Sequence, residues 1–173
     1  MAHAPVKHAA RVADTYPMAS GRTSTIPLLV ALVSTVAIDL VSKVLAIRDP
    51  WLFGPGIVYN PSTSHLATRI GICLASIAVV ALMARLARWR GIGPIPLVWA
   101  ACGILVGAVI AQGASTVIWE AGVPDFIWLG DWVWNLADFS IGIGMLSFLA
   151  ASVGYAVNAF ARNANDTPTG SAP

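Results

Sequence analysis

Charged side chains are scarce in this 173-residue sequence: Asp, Glu, Lys and Arg make up only 10% of it, against 57% hydrophobic residues. A soluble globular domain carries about 25% charged residues, so the composition excludes an ordinary water-soluble domain. The mean hydropathy of +0.75 agrees with this. The sequence therefore predicts an integral membrane protein in contact with lipid. The net charge of +2 says little about partners by itself, but no part of the sequence resembles a basic nucleic-acid surface, so no nucleic acid partner is expected.

Cysteine and histidine are also scarce, with two and three residues respectively. Cys73 and Cys102 both fall inside apolar runs, which favours buried free thiols over a disulfide or a metal pair. The histidines are scattered, and no group of His, Cys and carboxylate residues has the spacing of metal ligands. We therefore expect no bound metal ion.

Four apolar runs are long enough to cross a bilayer, which takes about 20 helical residues. They cover 26–46, 70–86, 95–118 and 133–157. The sequence thus predicts an all-α protein with four transmembrane helices in one membrane domain, 26–157. The polar ends, 1–25 and 158–173, are predicted to be disordered cytoplasmic tails.

The loop at 47–68 cannot continue a helix, because Gly and Pro recur along it. Trp51 and Tyr59 are typical of the membrane interface. A loop of this length predicts a small extracytoplasmic cap or a short strand pair after the first helix.

Basic residues are distributed unequally between the connecting segments. The N-terminal tail and the end of the second run hold three each, whereas the loop at 119–133 holds none. The positive-inside rule therefore places both termini in the cytoplasm. The polar residues that then lie at the same outer membrane face are Asp39, Lys43, Asn60, Asp125, Asn135 and Asp138.

Two acids lie at the edge of the fourth apolar run, where a carboxylate is costly and usually functional. Asp125 precedes the run and Asp138 lies about one turn inside it. Neighbouring carboxyls share a proton. The ionised group can take a proton from water, while the protonated group polarises a peptide carbonyl and later protonates the leaving amine. An alternative stays open, since Asn135 followed by Asp138 is also typical of a helix N-terminal cap and Asp125 could be an ordinary loop acid.

Asp39 and Lys43 are four residues apart and therefore lie on one face of the first helix. Such a pair near a helix end has two interpretations. It is either an interfacial ion pair, with Lys43 reaching the headgroups, or a buried support for the two acids.

Four short motifs occur in order between residues 26 and 157. Asp39-Leu40-Val41-Ser42-Lys43 is similar to D-x-x-[ST]-K, and Asn60 to the Asn of a first-loop N-x-G motif. Gly122-Val123-Pro124-Asp125-Phe126 matches G-x-V-x-D-F loosely, and Trp134-Asn135-Leu136-Ala137-Asp138 matches [FW]-N-x-A-D. In this order and topology the chain resembles the lipoprotein signal peptidases (signal peptidase II), aspartic peptidases of the bacterial inner membrane.

The resemblance implies a monomeric four-helix membrane peptidase that needs no cofactor. Its expected substrate is a diacylglyceryl-modified prolipoprotein, cut just before the lipid-bearing cysteine. Asp125 and Asp138 would be catalytic, and Asn135 would orient Asp138 or hydrogen-bond the substrate. The expected supporting residues are Asn60, which would contact the substrate backbone, and Asp39 and Lys43, which would brace the site.

The chain departs from this family late in the third run, where the G-N-x-x-D-R motif is missing. Gln112, Ser115 and Glu120 are candidate replacements in that region. The missing motif suggests one rival function, a catalytically impaired lipoprotein-binding paralogue. A small carboxylate-dependent transporter is a second rival, disfavoured because the acids cluster at one face and the second and third runs contain none.

Overall fold

The computed structural model describes residues 22–61, 66–92 and 95–165. Within this part of the chain, four helices are long and apolar enough to cross a membrane. They are α1 (Arg22–Arg48), α2 (Leu66–Trp89), α3 (Pro96–Ile118) and α4 (Leu136–Asn165). The prediction of an all-α, multi-pass membrane protein is therefore confirmed.

The ends of the first and last helices differ from those predicted. α1 begins at Arg22 instead of residue 26, and α4 begins at Leu136 instead of residue 133 and continues to Asn165. Hydropathy marks only the apolar part of a helix, and strong helix formers such as Ala159 and Ala161 extend α4 beyond it. The outer parts of the two predicted tails, 1–21 and 166–173, lie outside the described residues.

Helix α3 lies at the centre of the bundle and packs against α1, α2 and α4. Two glycines allow α1 to approach it closely. A Cβ at Gly103 would overlap the Leu28 carbonyl oxygen, and a Cβ at Gly107 would lie 2.8 Å from the Leu32 carbonyl oxygen. Small residues in α3 thus permit the close helix contact expected of them.

Two short antiparallel strand pairs cover one end of the bundle, which we call the β end. Strand β1 (Val58–Asn60) pairs with β2 (Val123–Asp125), and β3 (Ile127–Leu129) pairs with β4 (Trp132–Trp134). The small cap predicted after the first helix is present, but the partner of β1 comes from the loop between α3 and α4. The Phe53 and Phe126 rings, with centroids 5.0 Å apart, pack these two loops together.

Candidate aspartate site

Helix α4 begins with a reciprocal cap made by Asn135 and Asp138. The Asn135 Oδ1 accepts hydrogen bonds from the backbone N–H groups of Ala137 (3.0 Å) and Asp138 (3.3 Å). In return, the Asn135 N–H donates to Asp138 Oδ2 at 3.1 Å. The capping interpretation of these two residues is therefore confirmed, with Asp in place of the more usual Glu.

The same Asn135 side chain also contacts the second acid. Its Nδ2 donates to Asp125 Oδ1 at 2.6 Å. Because the helix N-terminus occupies the amide oxygen, the amide nitrogen is the atom left to face Asp125. Asn135 therefore links Asp125 to the start of the helix that carries Asp138.

Strand β2 holds Asp125 in position. Asp125 lies opposite Val58 of β1, and the next residue, Phe126, donates its N–H to the Trp134 carbonyl oxygen at 3.0 Å. These backbone contacts on both sides leave the Asp125 residue only 6% exposed. The loop acid is thus fixed by strand pairing at the membrane edge.

Asp39 and Lys43 form an ion pair inside the bundle, with Lys43 Nζ 2.6 Å from Asp39 Oδ2. Both residues are fully buried, so the pair is not interfacial. A buried ion pair is tolerated when further hydrogen bonds satisfy both groups. The other Asp39 oxygen, Oδ1, accepts the backbone N–H of Ala137 at 2.8 Å, which places a carboxylate of α1 at the N-terminus of α4.

Gln112 and Ser115 of α3 complete the surroundings of Lys43. The Lys43 ammonium donates to Ser115 Oγ at 2.8 Å and, more weakly, to Gln112 Oε1 at 3.4 Å. The Gln112 Nε2 in turn donates to Asp138 Oδ1 at 2.9 Å. Two of the three candidate replacements for the missing motif therefore belong to this network, whereas Glu120 is exposed.

A cleft of about 290 Å³ opens beside the two acids. Asp125, Asp138, Asn135 and Asn60 all line it, together with Arg69 of α2. Within the described residues no hydrogen bond joins the two carboxylates directly, and Asn135 lies between them. Arg69 was not among the site residues predicted from the sequence.

The six predicted site residues are thus brought to one end of the bundle. Asn60, Asp125, Asn135 and Asp138 face the cleft. Asp39 and Lys43 lie behind it and reach it through hydrogen bonds to Ala137 and Gln112.

Burial raises the pKa of the Asp125 carboxyl above its ordinary value, and the negative charge of Asp138 raises it further. Hydrogen bonds from Asn135 and Asn60 and the positive charge of Lys43 act in the opposite direction without cancelling the rise. Burial therefore favours the protonated form of Asp125 more than that of a carboxyl in water.

Both cysteines are free thiols, as predicted. Cys102 is buried in the bundle, whereas Cys73 is only partly buried and lines the cleft. The described residues contain no group of three or more His, Cys, Asp or Glu side chains arranged to hold a metal ion.

Comparison with known proteins gives no relative: no protein-family model matches the chain, and no curated protein matches it either. The likeness to lipoprotein signal peptidases therefore rests on the four motifs and their order alone.

Proposed function

We propose that this chain is a membrane aspartic endopeptidase that removes signal peptides from diacylglyceryl-modified prolipoproteins. The observation that carries the proposal is the convergence of Asp125, from a strand, and Asp138, from a helix, on one cleft. The order of the four motifs supports the substrate class. The resemblance implies the bacterial cytoplasmic membrane, and the positive-inside rule favours an orientation there with both termini in the cytoplasm and this cleft at the outer face.

In the proposed reaction Asp138 is ionised and Asp125 is protonated. The Asp138 carboxylate lies in the first turn of α4, where the helix dipole favours negative charge, and it accepts hydrogen bonds from Gln112 and the Asn135 N–H. The buried Asp125 has the raised pKa that a general acid needs. Asn135, which contacts both groups, keeps their relative position fixed.

Hydrolysis then needs only the two carboxyls and one water molecule. Asp138 takes a proton from the water molecule while the water oxygen attacks the carbonyl carbon of the substrate. Asp125 donates a hydrogen bond to the carbonyl oxygen as negative charge develops there. The tetrahedral intermediate collapses when the C–N bond breaks and Asp125 gives its proton to the leaving nitrogen. Transfer of the proton from Asp138 to Asp125 restores the starting state.

The walls of the cleft suit a substrate that arrives through the membrane. Ile72 of α2 lines the cleft and is 59% exposed on the surface that faces lipid. A peptide held by a diacylglyceryl group therefore has a lateral route to the two acids. At the β end, Asn60, whose side chain hydrogen-bonds Asp125, lines the cleft where the substrate backbone would pass, and Arg69 lines the same cleft.

The test is conversion of a diacylglyceryl prolipoprotein to its shorter form by the purified chain in detergent micelles. Asp125→Asn and Asp138→Asn should each lower the rate by about 10²–10⁴-fold, the range for loss of a general acid or base. Asp131→Asn, which removes an exposed acid from the same loop, is the matched control and should keep the rate of the unaltered chain.

The outcomes distinguish the proposal from its rivals, provided that thermal unfolding shows each variant to be folded. Binding of the prolipoprotein without conversion by the unaltered chain would favour the impaired paralogue. Ion flux into liposomes that depends on Asp125 and Asp138 would favour a transporter. Full activity in either Asn variant would exclude the two-carboxyl mechanism.

A further inference from the structure

A second and larger cleft, of about 770 Å³, lies at the opposite end of the bundle, which we call the arginine end. The last turns of α2 and Trp99 of α3 form it. Its polar lining comes from Arg85 and Arg88, and its apolar lining includes Leu82 and Leu86. The aspartate site uses none of these residues.

One wall of this cleft is rigid and positively charged. The Arg88 guanidinium lies 4.4 Å from the centre of the Trp99 ring, a distance typical of a cation–π contact. Trp99 is only 6% exposed, so the ring is fixed and holds the guanidinium at the cleft. Arg85 and Arg88 remain exposed to an incoming ligand.

Among the described residues, the arginine end has no acidic side chain to neutralise these charges. The sequence contains no Asp or Glu between residues 50 and 119. The acids within the described residues all lie in or next to the segments at the β end. The guanidinium groups of Arg85 and Arg88 therefore lack a carboxylate partner in the described chain, and an anion would complement them.

We propose that this cleft binds one anionic phospholipid of the cytoplasmic leaflet, independently of the peptidase function. Its phosphate would lie between Arg85 and Arg88, and its acyl chain would run along Leu82 and Leu86. These leucines are 54% and 46% exposed. They extend the cleft from the two arginines into the membrane-spanning part of α2. This apolar continuation favours a lipid over a free phosphate ion, and basic pockets between helices on the cytoplasmic side are typical lipid headgroup sites.

Native mass spectrometry of the full chain in detergent tests the proposal, with phosphatidylglycerol and phosphatidylcholine as probes. Phosphatidylglycerol should bind more tightly, and Arg85→Gln and Arg88→Gln should each weaken it about fivefold, the contribution expected of one basic residue at a membrane surface. The matched control is Arg48→Gln, which removes an exposed arginine next to the β end and should leave the affinity unchanged.

Two further measurements separate lipid binding from loss of folding and from binding of free phosphate. The Arg85→Gln/Arg88→Gln variant should lose the preference for phosphatidylglycerol over phosphatidylcholine. The Arg85→Lys/Arg88→Lys variant keeps both charges and should retain most of this preference. Inorganic phosphate at millimolar concentration should fail to displace the lipid. Equal binding of the two lipids, an equal loss in Arg48→Gln, or displacement by phosphate would overturn the proposal.

Discussion

Asn135 shows how one side chain serves both the start of a helix and the candidate site. Its oxygen accepts backbone N–H groups of α4, while its nitrogen donates to Asp125. The capping interpretation and the catalytic interpretation are therefore compatible for this chain. The residue that orders the helix N-terminus also fixes the second acid.

The burial of Asp125 should make the stability of the protein depend on pH. A carboxyl with a raised pKa in the folded state favours folding below its ordinary pKa and loses that contribution as pH rises through the folded value. Asp125→Asn removes this dependence and keeps an oxygen to accept the Asn135 hydrogen bond. We therefore expect the variant to melt at a higher temperature than the unaltered chain at pH 7, and the difference to shrink as the pH falls towards the ordinary pKa of an aspartate.

Thermal unfolding in detergent, followed by the fluorescence of the seven tryptophans, measures this difference between pH 4 and pH 8. Asp131→Asn is the control, because water solvates its exposed carboxyl and its substitution should change the melting temperature little. The measured quantity is the melting temperature of Asp125→Asn minus that of the unaltered chain. A smaller difference at pH 7 than at pH 4 would contradict the prediction.

Sequence reasoning predicted residues that the fold brings together, but not all of their contacts. The spacing of Asp39 and Lys43 was enough to predict that they meet on one helix face. It could not decide between an interfacial and a buried pair, because burial depends on α3 and α4. The hydrogen bond from Ala137 to Asp39 joins residues 98 positions apart, and no local pattern encodes it.

At the scale of elements, hydropathy predicted the four helices but not the strand pairing at the β end. Each strand has only three residues, which is too short for an alternating pattern to be read. The pairing of β1 with β2 also joins two separate loops. The position of Asp125 therefore depends on a contact that only the folded bundle brings about.

Gly122 is the residue on which this pairing most depends. Its φ of +117° is unfavourable for residues with a side chain, and a Cβ there would overlap the carbonyl oxygen of Asn60. Gly122→Ala should therefore destabilise the fold by about 1–3 kcal/mol, in the range of other strained substitutions, and loosen β1 from β2. Hydrogen exchange of residues 58–60 and 123–125, measured with thermal unfolding, reports both effects.

The matched control is Gly56→Ala, at another glycine with a large positive φ, of +135°, but with no atom within 4 Å of the added Cβ. It carries the conformational cost without the overlap and should be the milder change. Equal effects of the two substitutions would show that the contact with Asn60 contributes nothing.

At the scale of the whole molecule, the acidic residues of the described chain collect at one end of the bundle. The described acids lie at the β end, and the arginine end carries Arg85, Arg88 and Arg90. Both proposals depend on which end faces the cytoplasm, since the prolipoprotein would approach from one side and the anionic lipid from the other. Hydropathy predicts the number of spans but not their direction, which comes from the basic residues alone.

Cysteine labelling in intact cells tests this orientation, in a Cys73→Ala/Cys102→Ala background. Asp131→Cys, in the exposed turn between β3 and β4, should react with a membrane-impermeant maleimide added outside. Ala161→Cys, exposed near the end of α4, should react only after the membrane is permeabilised. The reverse labelling pattern would show the opposite orientation in the membrane and would contradict the placement of both clefts.

The surroundings of Lys43 have an evolutionary consequence. An ammonium group has three N–H donors, and here Asp39, Ser115 and Gln112 accept them. Loss of one acceptor would leave the buried ammonium group with an unsatisfied donor, so a substitution at one of these four positions should require substitutions at the others. Homologous sequences should therefore change them as a set, and their joint variation would mark the lineages that keep this polar centre.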